Sequence, residues 1–531
     1  MLLHEALFVH ADRSPDALAL SHAKTAQSYA RLAESVRQAS DCLLANDLAA
    51  RERVAVYLDK RLETVHALFG TARAGGVFVP VNPLLKAEQV AYILRDCNVR
   101  ILVTSPDRLT SLADALPDCP DLHTVLVLGE VADEQRMGHV RILGWQALLD
   151  ATDPSASPPP HRTIDTDMAA ILYTSGSTGR PKGVVLSHRN MVAGAESVAT
   201  YLDNRPQDRL LAVLPLSFDY GLSQLTTAFL SGASVVLLNY LLPRDVIKAV
   251  AREGITGLAA VPPLWIQLAQ LDWPDEARQS LRYMTNSGGA MPRKTLDALR
   301  AHLPHAEFFL MYGLTEAFRS TYLPPAEIDR RPDSMGQAIP NAETLVVRED
   351  GSPCAPDEPG ELVHRGALVS LGYWNDAERT AERFRPAPGQ PAGLPLAEIA
   401  VWSGDRVRRD ADDYLYFIGR QDEMIKTSGY RVSPNEVEEV VYANGLVAEA
   451  AALGVAHPML GHGIVLVVLG KEATLTVEAL LAALRPRLPA YMLPAHIEVR
   501  AQALPRNANG KIDRKTLATE FADLFQESSD Q

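Results

Sequence analysis

The chain has 531 residues, 47% hydrophobic and 22% charged, a balance that suits a globular protein of three or four domain-sized units. Its net charge of −14 excludes a duplex-binding protein, whose affinity rests on Lys and Arg neutralising phosphates, so no nucleic-acid partner is expected. The start lacks a basic n-region, no apolar run approaches the ~18 residues of a membrane span, and four cysteines without CxxC spacing suit reduced thiols, so a cytoplasmic location is expected.

In chain order, residues 53–104 alternate strand and helix patterns. Val54–Leu58 reads as a strand, Glu63–Arg73 as a helix, Val77–Val81 as a strand after Gly75-Gly76, Ala87–Cys97 as a helix and Ile101–Thr104 as a strand. The order recurs: strand at Leu210–Leu214, helix at Gly221–Leu230, a break at Gly232, strand at Val235–Leu238, helix at Asp245–Glu253 and strand at Thr256–Val261. Strands alternating with helices imply parallel sheets with crossover connections, here two similar α/β subdomains. A Pro/Ser-rich stretch, Asp153–Pro160, links the halves. Beyond residue 335, short β-like pieces (Glu343–Val347, Glu361–His364, Tyr414–Ile418) suggest a β-rich subdomain. From about 420 a small α+β domain follows. Its signs are a capping-box helix start at Ser433-Pro-Asn-Glu436, strands near 448–455, 464–469 and 496–500, and a helix near 476–487. We therefore expect an N-terminal domain over residues 1–419 and a mobile C-terminal domain over 420–531. His457 and His462 read as a loop between two strands rather than metal ligands.

The most informative stretch is Tyr173-Thr-Ser-Gly-Ser-Thr-Gly-Arg-Pro-Lys-Gly183, which follows the apolar strand Ala169–Leu172. Thr174, Ser175, Gly176, Ser177, Thr178 and Gly179 offer hydroxyls and successive backbone N–H groups that can wrap phosphate oxygens, and Lys182 adds a positive charge. The Gly-x-x-x-x-Gly-Lys-[Ser/Thr] order of a Walker A loop is absent.

This string resembles the phosphate loop of the adenylate-forming superfamily of acyl-CoA synthetases, adenylation enzymes and luciferases. Further segments match in order: Ser287-Gly-Gly-Ala290, Tyr312-Gly-Leu-Thr-Glu-Ala317, Ser403-Gly-Asp405, Gly419–Arg431 and Pro505–Asp513. The resemblance covers nearly the whole chain. It implies an ATP-dependent, AMP-forming ligase that makes an acyl-adenylate, releases pyrophosphate and passes the acyl group to the thiol of coenzyme A or of a carrier-protein phosphopantetheine. Carboxylate attack on a phosphoanhydride brings anions together, so positioned cations and dipoles should supply most of the rate. The resemblance assigns catalysis to Lys511, Thr315 and Glu316, with Glu316 as the Mg²⁺ ligand. Gly288, Gly289 and Tyr312 fall on the adenine side, Asp405 and Arg420 on the ribose, Asp422 at the hinge, and Gly429 on the tunnel through which the thiol arrives.

The segment Pro215–Leu222 aligns with the start of the acyl pocket. Asp219 stands where amino-acid-activating enzymes pair an aspartate with the substrate ammonium. It reads equally as a structural carboxylate bonded to backbone or to Tyr220. Phe218, Pro262 and Trp265 are the expected apolar lining, suited to a small or cyclic side chain. Tyr57–Arg61, Pro80–Leu85, Leu216–Thr227 and Met311–Leu323 resemble the AMP-forming acyl-CoA ligases associated with exosortase A systems. An acyl carrier protein is an alternative acceptor, and an amino-acid-adenylating, carrier-loading enzyme the alternative function.

Overall fold

The computed structural model describes residues 1–129, 134–174, 181–391, 393–420, 424–472, 474–506 and 512–526, and at Arg420 the backbone alone. The two recurring patterns fold into two sheets with the same local order. In the first, Arg53–Tyr57 lies between Val77–Pro80 and Val99–Thr104, all parallel. In the second, Arg209–Ala212 lies between Ser234–Leu237 and Gly257–Ala260, again all parallel. Each set therefore runs second, first, third, the order that crossover helices impose when the chain reverses direction across the sheet.

The punctuating glycines behave alike. Gly75 (φ 83°) and Gly232 (φ 73°) each end the first crossover helix in the left-handed conformation, where a Cβ carries a steric cost. Those helices, Leu62–Ala74 and Asp219–Ser231, meet between the sheets, and Phe69 touches Phe229 edge-on with centroids 5.2 Å apart. This shared core is continuous across both subdomains. One departure from the expected pattern is the N-terminal hairpin. Leu18–His22 pairs in parallel with Ser234–Leu237, so the start of the chain completes the second sheet rather than the first.

A third, antiparallel sheet joins Ala342–Val347, Gly360–Gly366, Phe384–Pro386, Ile399–Arg409 and Leu415–Arg420. A fourth is built from Ile425–Thr427, Tyr430–Val432, Val447–His457, Gly461–Gly470 and His496–Arg500 and packs its own core. His457 and Gly461 close the hairpin there, and the His457 ring nitrogen accepts from the Met459 and Leu460 amides.

The expected capping box at Ser433 does not close. The helix Pro434–Ala443 starts as predicted, with Pro at its first position, but Ser433 makes no cap bond and Glu436 turns away toward the large domain. The reason is tertiary: Gln89, on the helix Ala87–Asp96, donates to the Glu436 carboxylate at 3.3 Å.

Candidate active site

Several parallel strands of both sheets end at one cavity. Val261 follows Gly257–Ala260, Ser287 and Gly288 follow Tyr283–Asn286, and Gly313, Leu314 and Thr315 follow Glu307–Tyr312. From the first sheet come Pro80 and Asn82 after Val77–Pro80, and Tyr173 and Thr174 at the end of Met168–Thr174. The carboxyl ends of parallel strands are where open α/β sheets bind ligands, because backbone N–H groups and loop side chains converge there.

Thr174 leads into residues 175–180, so Ser175, Gly176, Ser177, Thr178 and Gly179 lie outside the described residues. The Thr174 hydroxyl is buried without a hydrogen-bond partner, an orphan that a ligand oxygen could satisfy. Lys182 begins the strand Lys182–Ser187, and its ammonium donates to Glu316 at 2.8 Å and to the Tyr373 hydroxyl at 2.7 Å. Tyr373 donates in turn to the same Glu316 oxygen at 2.7 Å. Glu316 is 4% exposed. Burial alone would raise its carboxyl, but Lys182 and then Arg431 outweigh burial and hold it well below the usual carboxylate range. Burial depresses the Lys182 ammonium, and Glu316 opposes that shift.

Glu316 is thus an ionised, acceptor-only anion, the kind of ligand Mg²⁺ takes. Among the described residues no cluster of three or more His, Cys, Asp or Glu side chains could hold a metal. A single carboxylate fits a magnesium ion whose other ligands would be phosphate oxygens and water.

Tyr312 donates its hydroxyl to the Asp405 carboxylate, in a short bond between the second and third sheets. Asp405 is 1% exposed, and its backbone lies opposite Arg420 in antiparallel register. The residues expected at adenine and ribose are therefore in direct contact with each other. Gly288 lines the cavity, while the Gly289 carbonyl accepts from the Asn286 amide at 3.0 Å.

Phe218 and Asp219 line the same cavity, at the start of the helix Asp219–Ser231. Pro262 and Trp265 are not among the cavity residues. Pro262 opens the buried helix Pro262–Leu268, and Trp265 is a core residue whose indole N–H donates to the Ala260 and Thr285 carbonyls at 3.0 and 3.2 Å. A buried tryptophan needs that partner, and these two carbonyls draw it inward, away from the pocket.

The small domain closes the cavity. Gly429 (φ 82°) lies against Val261, and a Cβ there would come within 2.8 Å of its methyl. Tyr430 packs edge-on against Phe218 with centroids 4.9 Å apart and stacks on Tyr491 at 3.7 Å. Asp422 and Lys511 lie outside the described residues. The flanks of the lysine motif are held within the small domain, by Arg506 on Glu449 and Arg514 on Glu438.

Two residues that the sequence reading gave no role complete the site. Tyr373 lies outside every recognisable motif. Arg319 falls three residues after Glu316, within Met311–Leu323, where the resemblance assigns it nothing.

The site is that of an enzyme handling a nucleotide beside a second, partly apolar pocket. Residues 7–374 match the AMP-binding enzyme family and residues 436–511 its C-terminal domain, so the chain belongs to the AMP-binding enzymes, a family of AMP-forming ligases. It is 30% identical over 518 residues to the indoleacetate–CoA ligase of Aromatoleum aromaticum, covering 96% of each chain. It is also 30% identical over 522 residues to a linear gramicidin synthase of Brevibacillus parabrevis. That match covers 97% of this chain but 10% of that much longer protein. Among solved structures, the amide bond synthetase McbA of Marinactinospora thermotolerans superposes with a TM-score of 0.85 at 25% identity, covering 98% of this chain and all of that one.

Proposed function

We propose that the chain activates a carboxylic acid with ATP as an acyl-adenylate, releasing pyrophosphate, and transfers the acyl group to a phosphopantetheine thiol with release of AMP. The observation that carries this reading is the pairing of residues from distant motifs, Lys182 with Glu316 and Tyr312 with Asp405, next to a cavity lined by their chain neighbours Gly313, Leu314 and Thr315 and by Asp219. In this reading residues 1–419 bind ATP and acid, and residues 420–531 swing between two half-reactions.

In the first half-reaction, Lys511 bridges the acid carboxylate and the α-phosphate. Thr315 and the loop from Thr174 hold the phosphates, Tyr312 lies against adenine, and Asp405 and Arg420 hold the ribose. Lys182 offsets phosphate charge from its place beside Glu316. A magnesium ion held by Glu316 would neutralise charge on the phosphates. In the second, rotation about Asp422 brings Gly429 to the cavity and opens the thiol path. The packing of Gly429 on Val261 supports assigning this arrangement to thioester formation.

A place beside exosortase A systems rests on the sequence resemblance, and a cytoplasmic location on cysteines whose spacing suits reduced thiols. A second reading, an amino-acid-adenylating enzyme that loads a carrier protein, draws on Asp219 and on the likeness to a linear gramicidin synthase. The test is ATP–pyrophosphate exchange over a panel of carboxylic and amino acids, followed by thioester formation with coenzyme A or a holo carrier protein. Exchange that needs an acid supports the reading. ATP cleavage to ADP and phosphate, without exchange, refutes it.

A further inference from the structure

The acyl side of the cavity holds a buried cation that the motifs do not account for. Arg319 is 2% exposed and lines the cavity beside Phe218, Asp219 and Tyr220. Its guanidinium lies over the Tyr220 ring at 4.6 Å from the centroid, and its Nη1 stands 3.5 Å from the Asp219 carboxylate. Its Nε–H is buried with no hydrogen-bond partner. An arginine carries five N–H donors and remains charged in proteins, so burying one without acceptors is costly.

The backbone is strained to put it there. Phe318 has φ 55° and ψ −43°, and the Arg319 amide donates to the Ala317 carbonyl at 2.5 Å. That is a γ-turn of the rare positive-φ kind, directly after the 3₁₀ turn Thr315–Ala317. Strain of this sort persists where the surrounding structure over-determines it, and it clusters at ligand sites.

We infer that Arg319 reads a second oxygen-acceptor group on the substrate acid, above all a second carboxylate, and that Asp219 positions Arg319 rather than anchoring a substrate amine. An ammonium brought to Asp219 would meet the guanidinium already there, a like charge at close range. A carboxylate or carbonyl would instead supply the missing acceptor. Charge bookkeeping favours the same answer. Burial raises the Asp219 carboxyl against the pull of Arg319, so Asp219 can take up a proton when a substrate carboxylate claims the guanidinium.

This inference rests on the ligase reading and names its substrate class. The test is ATP–pyrophosphate exchange with chain-matched sets: monocarboxylic acids, dicarboxylic and oxo acids, and amino acids. Wild type should favour dicarboxylic or oxo acids over matched monocarboxylic acids by about tenfold or more in kcat/KM, because a pocket built to hydrogen-bond a group rejects analogues lacking it. Arg319→Gln should erase that preference, lowering kcat/KM for dicarboxylic and oxo acids far more than for the matched monocarboxylic acids, and Arg319→Lys should restore part of it. Because Arg319→Gln leaves Asp219 without its partner, the Asp219→Asn/Arg319→Gln double variant, which removes both charges, keeps the comparison clear of misfolding. Preference for simple monocarboxylic acids, or for amino acids that depend on Asp219, overturns the inference and leaves the ligase intact. No exchange with any acid overturns both.

Discussion

Glu436 ties the docking of the small domain to pH. It is 7% exposed, bonded to Gln89 across the interface, and packed beside Tyr491 and Met492, with Glu439 adding a like charge nearby. Burial first, then Glu439, push its carboxyl up from 4.5 to about 7, and the Gln89 bond opposes them only partly. The docked arrangement therefore prefers the neutral acid. Below pH 4.5 the carboxyl is protonated docked or undocked, and pH has no leverage. Between 4.5 and about 7 the docked form keeps a proton that a solvated Glu436 gives up, so docking weakens as pH rises. At about 1.4 kcal/mol per pH unit, the full effect is about 3 kcal/mol, a hundredfold or so in the docking equilibrium. Glu436→Gln, a neutral isostere, should dock equally well at every pH. The four native cysteines are free and buried, so cysteines introduced at exposed Asp275 and Glu478 can be spin-labelled selectively and the interdomain distance measured from about pH 5.5 to 8.5. The docked population should fall with pH in wild type and stay flat in the variant. Parallel pH profiles in the two proteins would refute the argument.

The remaining predictions concern the catalytic steps. Lys511→Ala should abolish pyrophosphate exchange and leave ATP binding near wild type by calorimetry; near-normal exchange would remove Lys511 from its role. Gly429→Leu places a side chain at positive φ against Val261, so thioester formation should fall more than adenylation, whereas equal loss of both would count against the two-position scheme. Glu316→Gln strips the buried Lys182 ammonium of its carboxylate and should cost about 3 kcal/mol of stability by urea denaturation. Adding Lys182→Met to that variant should recover part of the loss, and additive losses would mean the pair is not coupled.

Legibility in the sequence followed the locality of the cause. The strand–helix alternation around Val54 and Leu210 was readable because short apolar strands, buried on both faces, alternate with longer helices, and Gly75 and Gly232 marked its breaks. Elements decided by distant partners were not readable. The hairpin at Leu18–Ser28 is composed like any edge, and only the exposed flank of Ser234–Leu237 determines where it pairs. Trp265 had the composition of a pocket residue, yet two carbonyls contributed by neighbouring strands turned it inward. Ser433 and Glu436 had the spacing of a capping box, and Gln89, on a helix of the large domain, drew the glutamate elsewhere. Tyr373 reached Lys182 and Glu316 only through the fold.

The same contrast separates the nucleotide chemistry from the substrate choice. Lys182, Tyr312, Glu316 and Asp405 sit in motifs whose spacing can be read in one dimension, and in the proposed function they act on groups that every ATP-dependent activation shares. Arg319 and Asp219 stand far apart in the chain and acquire meaning only as a pair: alone, Asp219 reads equally as an amine anchor or a structural carboxylate, and beside Arg319 its charge is already engaged. The γ-turn at Phe318 strengthens the case, because an arginine that only braced the fold would not need a strained residue to aim it at the cavity. Substrate preference here is therefore a matter of which acceptor completes a guanidinium the protein leaves incomplete.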